Sequence, residues 1–424
     1  MKKACGAVVL LLAVACATYT SRMELSRDLY YDARYGEALG NLDKLVADAA
    51  DRDYYLFLLE RGKVGLAAGR YDSAIADLQA AERRFLDIEA TRSVAGSFQS
   101  MLINPTMGEY ESEPHEKIMI NAYTLLAYWL KGDRNGAFVE RNRLVGRLEQ
   151  HAGGLSDEDR ASLDVPFARY LAAVLYEIEG RADDARIEYE AINRLRPGTA
   201  PEAVNPRLRE LVVFAEIGRA PVKVSTEIRG WLQKDGGGLM GFFYLPGEAE
   251  PQMFAFGGIG DVAFDKSGVL FTFAFPRLIA QDRIVRRAAL VIDGVEAGGM
   301  TALDDLEATA QAVYRKELGA TLVKAAFRTY LKTVAQTKLS DDDDAKGIAF
   351  DVLGKVFAAV DRADTRSWQT LPAEILLYRM ECPPGRHTVE ILYFGENGER
   401  VGTSGSVELS TEGDSKSIVF MPGF

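Results

Sequence analysis

A recurring spacing of small and aromatic residues limits what the first half of this chain can fold into. It is fullest in residues 61–82, at Gly62, Gly69, Tyr71, Ala74, Leu78 and Ala81. Its second half is repeated 36 residues earlier by Tyr35, Ala38, Leu42 and Leu45. A related set, Tyr128, Gly132 and Ala137, recurs as Tyr176, Gly180 and Ala185. Small residues at these spacings let two antiparallel helices approach closely, and the aromatic residue packs into the turn. The spacing therefore predicts a row of helix pairs.

The set resembles tetratricopeptide repeats, whose unit is about 34 residues long. Four degenerate copies fall at roughly 24–49, 54–87, 117–150 and 165–197. Stacked helix pairs of this kind form a curved solenoid, and its concave face usually holds an extended peptide or another protein. Two roles stay open for these helices. We favour binding of a partner protein, and the alternative is a spacer packed on the second half of the chain.

The hydrophobic pattern changes near 219–221 from helical spacing to short apolar runs separated by glycine and proline. Such runs predict strands, here at Val222–Ile228, Gly241–Leu245, Gly268–Phe275, Ala289–Ile292, Glu374–Met380, His387–Phe394, Gly405–Leu409 and Ser415–Phe420. Asp293-Gly294 predicts a hairpin turn. Apolar stripes at 303–334 and 348–357 predict a helical hairpin between the two sets of strands. Packing on the core is favoured for these stripes over contact with a membrane or a partner.

The sequence thus predicts an α+β protein of several domains. We expect a signal peptide at 1–15, a tetratricopeptide-like α-helical solenoid at 16–220 and a β-rich domain at 221–424. The β-rich domain is expected to be an antiparallel sheet or sandwich, with the helical hairpin inserted at about 302–361. A length of 424 residues agrees with two or three domains.

The amino-terminal stretch predicts export and lipidation. Two lysines precede an apolar run, Ala4–Val14, that is too short to span a bilayer. Ala13-Val14-Ala15-Cys16 then resembles the lipobox of bacterial lipoproteins, although Ala13 stands where leucine is more common. This implies acyl chains on Cys16, and the alternative is an ordinary secretory signal. In proteobacterial lipoproteins an aspartate after the cysteine often signals retention in the inner membrane. Ala17 stands there instead, so for a Gram-negative source the resemblance implies the periplasmic face of the outer membrane.

Charge and residue counts exclude several classes of function. Loss of Lys2 and Lys3 with the signal takes the net charge from −12 to −14, which argues against nucleic acid and against electrostatic binding to anionic lipid. Attachment to a membrane is therefore expected through acyl chains alone. Cys382 is the one cysteine left after Cys5 and Cys16, and we expect it to be buried and structural.

Local motifs for chemistry are weak, so no catalytic residue, cofactor or metal site is predicted. The histidines His115, His151 and His387 lack metal-ligand spacing, and no Gly-x-Ser-x-Gly elbow occurs. An acidic cluster precedes the third helix pair, at Glu109, Glu111, Glu113, His115 and Glu116, and a solvated loop is favoured there over a metal site. The run 341–344 is interpreted as solvated charge rather than a calcium loop. A pair of carboxylates distant in sequence remains an alternative.

One longer motif carries a more specific resemblance. Residues 364–373, followed by 384–389, look like the signature of a family of uncharacterised bacterial lipoproteins, and residues 115–141 resemble it too. The resemblance implies tetratricopeptide-like helices followed by a β-rich end, and it implies no settled activity. We expect Arg366 to bridge to Asp364 or Asp361 and Trp368 to anchor the loop. The alternative is that Arg366 and Trp368 bind a partner, since both types are common at binding hot spots.

The expected function is a non-enzymatic, lipid-anchored scaffold in the cell envelope that binds an envelope protein through its helical face. One alternative is an accessory activator of peptidoglycan synthesis, because some relatives in the resembling family are associated with proteins similar to activators of wall synthases. The other is an envelope hydrolase that uses carboxylates of the β-rich domain.

Overall fold

The computed structural model describes residues 18–94, 108–156, 159–160, 163–235, 238–245, 250–256, 269–340 and 363–423. Helices of the first half are α1 (Tyr19–Tyr31), α2 (Tyr35–Ala47), α3 (Asp51–Ala67), α4 (Tyr71–Val94), α5 (Pro114–Lys131), α6 (Arg134–Gly153), α7 (Pro166–Ile178) and α8 (Ala182–Leu195). The strand-rich part follows, so the mixed α+β class, with helices first and strands second, is confirmed.

Successive helices form antiparallel pairs that share one turn geometry. Ala33, Gly69, Gly132 and Gly180 each adopt positive φ between the two helices of a pair. Each donates its N–H to the carbonyl three residues back, and the next residue donates to the carbonyl five residues back. This arrangement satisfies the last carbonyls of the first helix and reverses the chain. Three of the four positions are glycine, because a left-handed backbone strains residues that have a Cβ atom.

Small residues of the recurring spacing lie where helices meet. A Cβ atom on Gly62 would lie 2.8 Å from Leu78 Cγ, so only glycine fits there without movement. Ala74, Ala137 and Ala185 are buried at the same position of three successive pairs. The aromatic residues pack beside the turns and are partly or wholly buried, at Tyr71, Tyr128 and Tyr176. The predicted role of these residues in close helix packing agrees with their positions.

Two sheets of the second half pack face to face. The first has the order β13-β1-β9-β8 and the second β11-β10-β6-β7, with β12 also pairing with β10. Their strands are β1 (Glu210–Ile217), β6 (Arg287–Ile292), β7 (Val295–Gly299), β8 (Thr301–Asp305), β9 (Glu374–Glu381), β10 (Arg386–Phe394), β11 (Arg400–Thr403), β12 (Val407–Ser410) and β13 (Lys416–Met421). Side chains from both sheets form one apolar cluster, as in a sandwich. The β1–β13 pair is parallel, whereas the predicted sheet was wholly antiparallel.

Strand β1 shows why the predicted boundary at residue 220 does not separate two cores. Leu211, Val213 and Ala215 face the second sheet, whereas Val212 and Phe214 face the helices. A strand buried on both faces is a continuous apolar run, which sequence periodicity does not distinguish from a buried helix. The expectation that helices continue to residue 220 is therefore wrong at 210–217. The first sheet is a middle layer that joins the two halves.

A third sheet, of order β4-β3-β2-β5, lies against a long helix. Its strands are β2 (Val222–Asp235), β3 (Gly238–Tyr244), β4 (Gln252–Phe256) and β5 (Val269–Ile279), and the helix is α9 (Leu306–Ser340). Helix α9 follows β8 and precedes β9, and these two strands pair with each other. The second helix expected at 348–357 and the charge run at 341–344 lie outside the described residues. The hairpin turn at Asp293-Gly294 is confirmed, with φ of 51° and 81°.

The shared turn geometry predicts a stabilising substitution. Ala33→Gly relieves left-handed strain and should raise the free energy of unfolding by about 0.5–1 kcal/mol, measured by urea denaturation at unchanged m-value. Gly132→Ala is the matched control, because a Cβ atom there would meet nothing within 4 Å. It should lower stability by about 1 kcal/mol. Destabilisation by Ala33→Gly would contradict this interpretation.

Candidate functional site

Arg366 and Trp368 lie in a segment without helix or strand, residues 363–373, that packs against the helical half. The Arg366 guanidinium pairs with Asp364 at 2.7 Å and donates to the carbonyls of Arg52 and Gly108 at 2.9 Å each. The predicted bridge to Asp364 is confirmed, and Asp361 lies outside the described residues. Trp368 is buried, and its ring meets Tyr123 edge-on at 5.8 Å. Both residues anchor the segment and are not displayed to a partner.

Two helix glutamates receive the backbone of this segment. Glu116, on α5, accepts from Trp368 N–H at 2.9 Å. Glu60, on α3, accepts from the N–H groups of Gln369 and Thr370 at 2.8 and 3.0 Å. These N–H groups have no strand partner, and buried backbone donors must be satisfied. Burial raises the pKa of Glu60 to about 7, although the hydrogen bonds it accepts oppose the rise.

A fully buried ion pair lies beneath the segment. Lys63 Nζ, from α3, contacts Glu216 Oε2, from β1, at 2.7 Å. Tyr123 and Tyr30 donate their hydroxyls to Glu216 at 2.5 and 3.3 Å, and Gly423 N–H donates at 3.1 Å. Desolvation lowers the pKa of Lys63, and the nearby Glu216 carboxylate opposes this. The pair links the first half of the chain to its last residues.

A second buried charge cluster ties α7 to the first sheet. Arg379, from β9, contacts Glu177 at 3.0 Å and also pairs with Glu210. Lys416, from β13, contacts Glu210 at 2.9 Å and Glu177 at 3.3 Å. We call the side of α1, α3, α5 and α7 that meets these groups the inner face. Among the residues that the structure describes, the inner face is filled by the chain's own side chains, which leaves no open concave face there for an extended peptide.

The acidic cluster before α5 is not a solvated loop. Glu109 pairs with Arg84 at 2.5 Å, and Glu113 pairs with Lys223 at 2.5 Å. Glu116 is buried and accepts from Tyr110 as well as from the segment. That expectation was wrong because cations and donors from distant elements come to these carboxylates. Among the residues the structure describes, no group of three or more potential ligands could hold a metal ion.

A small cavity of about 30 Å³ lies between α5, the segment, β2 and α9. His115 Nδ1 and Ser367 Oγ are buried at its wall without a hydrogen-bond partner in the protein. Burial lowers the pKa of His115, which favours the neutral form of its ring, and the nearby Glu116 and Glu113 oppose this. A space of this size suits one or two water molecules, which would satisfy both atoms. The unpartnered polar atoms at its wall are therefore suited to hold buried water.

A larger groove of about 380 Å³ lies among α4, α5, α6 and α9, within the size range of small-molecule sites. Its cations already have acidic partners. Lys117 and Arg147 contact Glu89 at 2.7 and 3.4 Å, and Lys316 contacts Asp159 at 2.6 Å. Another wall residue, His151, bonds to the carbonyl of Leu163. An anionic ligand would therefore have to displace existing pairs.

Three further titratable groups, Asp304, Cys382 and His387, make contacts within the fold. Asp304 is buried, accepts from Phe167 N–H at 3.0 Å and has a pKa raised to about 7 by desolvation. It is fully buried and is not among the residues that line either of the two cavities described above. Cys382 is free and buried as expected, and burial raises the pKa of its thiol. His387 bonds to Asp293 at the predicted hairpin turn.

Sequence reasoning missed the charged residues that join the halves, namely Lys63, Glu60, Glu177 and Glu216. Each lies in a largely apolar stretch. Glu216 is the one charge in Leu211–Ile217, whereas Glu60 and Lys63 share Leu56–Leu66 with Arg61. A charge in such a run has to be paired or hydrogen-bonded once it is buried. The sequence therefore indicates that these charges are paired. It does not indicate with which residues, because the partners lie in distant parts of the chain.

Comparison with family models, with curated proteins and with solved structures found no match to this chain. Within the described ranges, no helix is long and apolar enough to cross a membrane. Cys16, the expected lipidation site, lies outside the described residues.

The buried ion pair gives a stability prediction. Lys63→Met should lower the free energy of unfolding by about 3–5 kcal/mol, because it leaves the Glu216 charge buried without its cation. Adding Glu216→Gln removes that charge and keeps an acceptor, so the double variant should recover about 1–2 kcal/mol of the loss. Denaturant unfolding measures both, and a double variant less stable than Lys63→Met would contradict this account.

Asp304 gives a prediction about pH. Its pKa is higher in the folded chain than in the unfolded chain, so its stabilising contribution is complete at low pH and is lost as pH rises towards 7. Asp304→Asn keeps an acceptor for Phe167 and does not titrate. It should be more stable than the natural chain by on the order of 2–4 kcal/mol at pH 8. The difference should shrink as pH falls to 5, and a constant difference would contradict the account.

Proposed function

We propose that this chain is a non-enzymatic, lipid-anchored scaffold of the bacterial cell envelope. In this proposal acyl chains on Cys16 hold it, at the periplasmic face of the outer membrane, and an envelope protein binds its helical half. The Ala13-Val14-Ala15-Cys16 motif after a short apolar run supports the anchor. The resemblance of residues 364–373 to a family of bacterial lipoproteins supports it further.

The carrying observation is the short distance between the cysteine and the folded body. Helix α1 is capped by Thr18, two residues after Cys16, and Tyr19 is buried with its hydroxyl on Glu60 at 2.9 Å. Two residues span at most about 7 Å. Acyl chains on Cys16 would therefore hold the body directly against the bilayer. This geometry suits a scaffold that works at the membrane surface.

We further propose that the helix pairs are tetratricopeptide-like repeats, and the four equivalent turns support this reading. Their inner face is occupied, so the partner must bind elsewhere on the helices. The second helices α6 and α8 each present a large apolar residue at the same position of the pair. These residues, Val139 and Ile187, are each 53% exposed. They mark the surface that we assign to the partner.

Photo-crosslinking in living cells tests this assignment. A photoreactive residue at Val139 or Ile187 should yield one discrete crosslinked envelope protein, identified by mass spectrometry. Ile284, which is 71% exposed in the strand-rich half, is the matched control and should not yield that product. Recovery of a wall synthase would specify an accessory activator of peptidoglycan synthesis. Absence of any product at both helix positions, or identical products at all three, would overturn the partner surface.

The anchor has a separate test. Intact mass of the purified natural protein should show acyl chains, and Cys16→Ser should release the protein from the membrane fraction. If the native chain carries no acyl mass and Cys16→Ser is located like the native protein, the anchor is refuted.

A further inference from the structure

The third sheet has one face buried against α9 and the other turned to solvent. On the buried face, Phe243 lies within 6.1 Å of Phe273, ring centre to ring centre, and Phe273 within 6.3 Å of Phe275. Helix α9 approaches this face so closely that a Cβ atom on Gly319 would lie 2.9 Å from the Phe254 ring. The phenylalanine cluster thus accounts for the packing of the sheet on the helix.

The opposite face is also apolar, which packing on α9 does not explain. Trp231 on β2 pairs with Phe242 on β3, and Phe242 pairs with Met253 on β4. Cross-strand partners share a face, so these three side chains form a row across three strands. Met240 and Tyr244 flank the row on β3, since alternate residues of a strand face the same side. We call these five residues the outer face.

The outer face is accessible in the folded chain. Tyr244 is 58% exposed and Met253 is 62% exposed. Trp231, Met240 and Phe242 are partly buried. Apolar residues scattered singly over a surface need no explanation, whereas a contiguous row of this kind marks a surface that contacts something.

We propose that the outer face rests in the headgroup region of a zwitterionic phospholipid bilayer. This inference builds on the proposed anchor at Cys16. Tryptophan and tyrosine favour the interface between lipid and water, where an apolar ring and a polar atom are both satisfied. Exposed Arg229 and Glu227 lie on the same side of β2, and their charges cancel. A neutral, aromatic surface on an acidic protein suits zwitterionic rather than anionic lipid.

The short tether makes this surface effective. Two residues of chain, which span at most about 7 Å, separate Cys16 from the cap of α1, so an acylated Cys16 would hold this end of the body close to the bilayer. Helix α1 contacts β2, the strand that carries Trp231. For a protein that acyl chains already hold at a bilayer, a weak contact of the outer face is enough to orient the protein.

The size of the outer face favours lipid over a second copy of the chain. Five side chains that are partly buried expose at most about 500 Å², whereas a stable dimer buries roughly 800 Å² on each partner. Partial immersion in a bilayer needs no such area, because the acyl chains already provide the attachment.

Tryptophan fluorescence tests the proposal in the acylated protein reconstituted into phosphatidylcholine vesicles. The chain has three tryptophans, and Trp129 and Trp368 are buried, so a quencher in the bilayer reaches Trp231 selectively. Brominated phosphatidylcholine should quench Trp231. The double variant Tyr244→Ser with Met253→Ser should reduce the quenchable fraction about threefold or more, because two large apolar side chains leave the lipid contact.

Matched controls separate this proposal from general surface effects and from the anchor itself. Ile284→Ser with Val295→Ser changes two residues of similar exposure elsewhere and should leave the quenching unchanged. Absence of quenching in the natural protein, or equal loss in both double variants, would overturn the outer-face proposal. Dimerisation that depends on Tyr244 and Met253 would also overturn it and would assign the face to a second copy.

A separate result would show that the anchor proposal is wrong: the native chain would carry no acyl mass on Cys16 and would not float with vesicles. The outer face is then tested with the Cys16→Ser chain at high lipid concentration. Quenching of Trp231 that the Tyr244 and Met253 substitutions remove would support the face without the anchor, and no quenching would refute it.

Discussion

Three buried carboxylates, from Glu60, Glu116 and Glu216, hold the two halves of this chain together. Glu60 and Glu116 accept hydrogen bonds from the backbone N–H groups of residues 368–370. Glu216 forms an ion pair with Lys63 and accepts hydrogen bonds from two tyrosine hydroxyls and from the N–H of Gly423. Each carboxylate loses its hydration on burial, and these donors replace the lost water. We call these contacts the joint, and they form only when the helices, the first sheet and the segment 363–373 are all in place. Its charges therefore specify one arrangement of the whole body.

That joint changes the functional interpretation of the helices. A row of helix pairs alone suggests an open face that could bind a peptide. In this chain the segment 363–373, anchored by Trp368 and Arg366, occupies that face. Three surfaces described above remain available for binding: the second helices of the pairs, the charged groove beside α9 and the outer face of the third sheet. A scaffold that is held close to a bilayer can present the first of these to a protein while the last touches lipid.

Local patterns allowed much of the fold to be predicted. The glycines and alanines of the helix pairs act through contacts within about 40 residues, and the turn at Asp293-Gly294 acts within four, so their signals are legible in the sequence. Strand β1 was missed because a run buried on both sides has no alternation. The joint was missed because Glu216 meets Lys63, and Glu60 meets Thr370, only across the folded structure. Arg366 with Asp364 was predicted because the two residues lie two positions apart.

Hydrogen exchange of the amides of Trp368, Gln369 and Thr370 tests the central claim most directly. These amides lie in no helix or strand. If the segment were a surface loop, its amides would exchange rapidly with solvent. The buried carboxylates predict instead that they exchange as slowly as the core of α5, through global unfolding. Rapid exchange of these three amides under conditions where α5 is protected would show that the segment is not held by Glu60 and Glu116, and it would contradict the account.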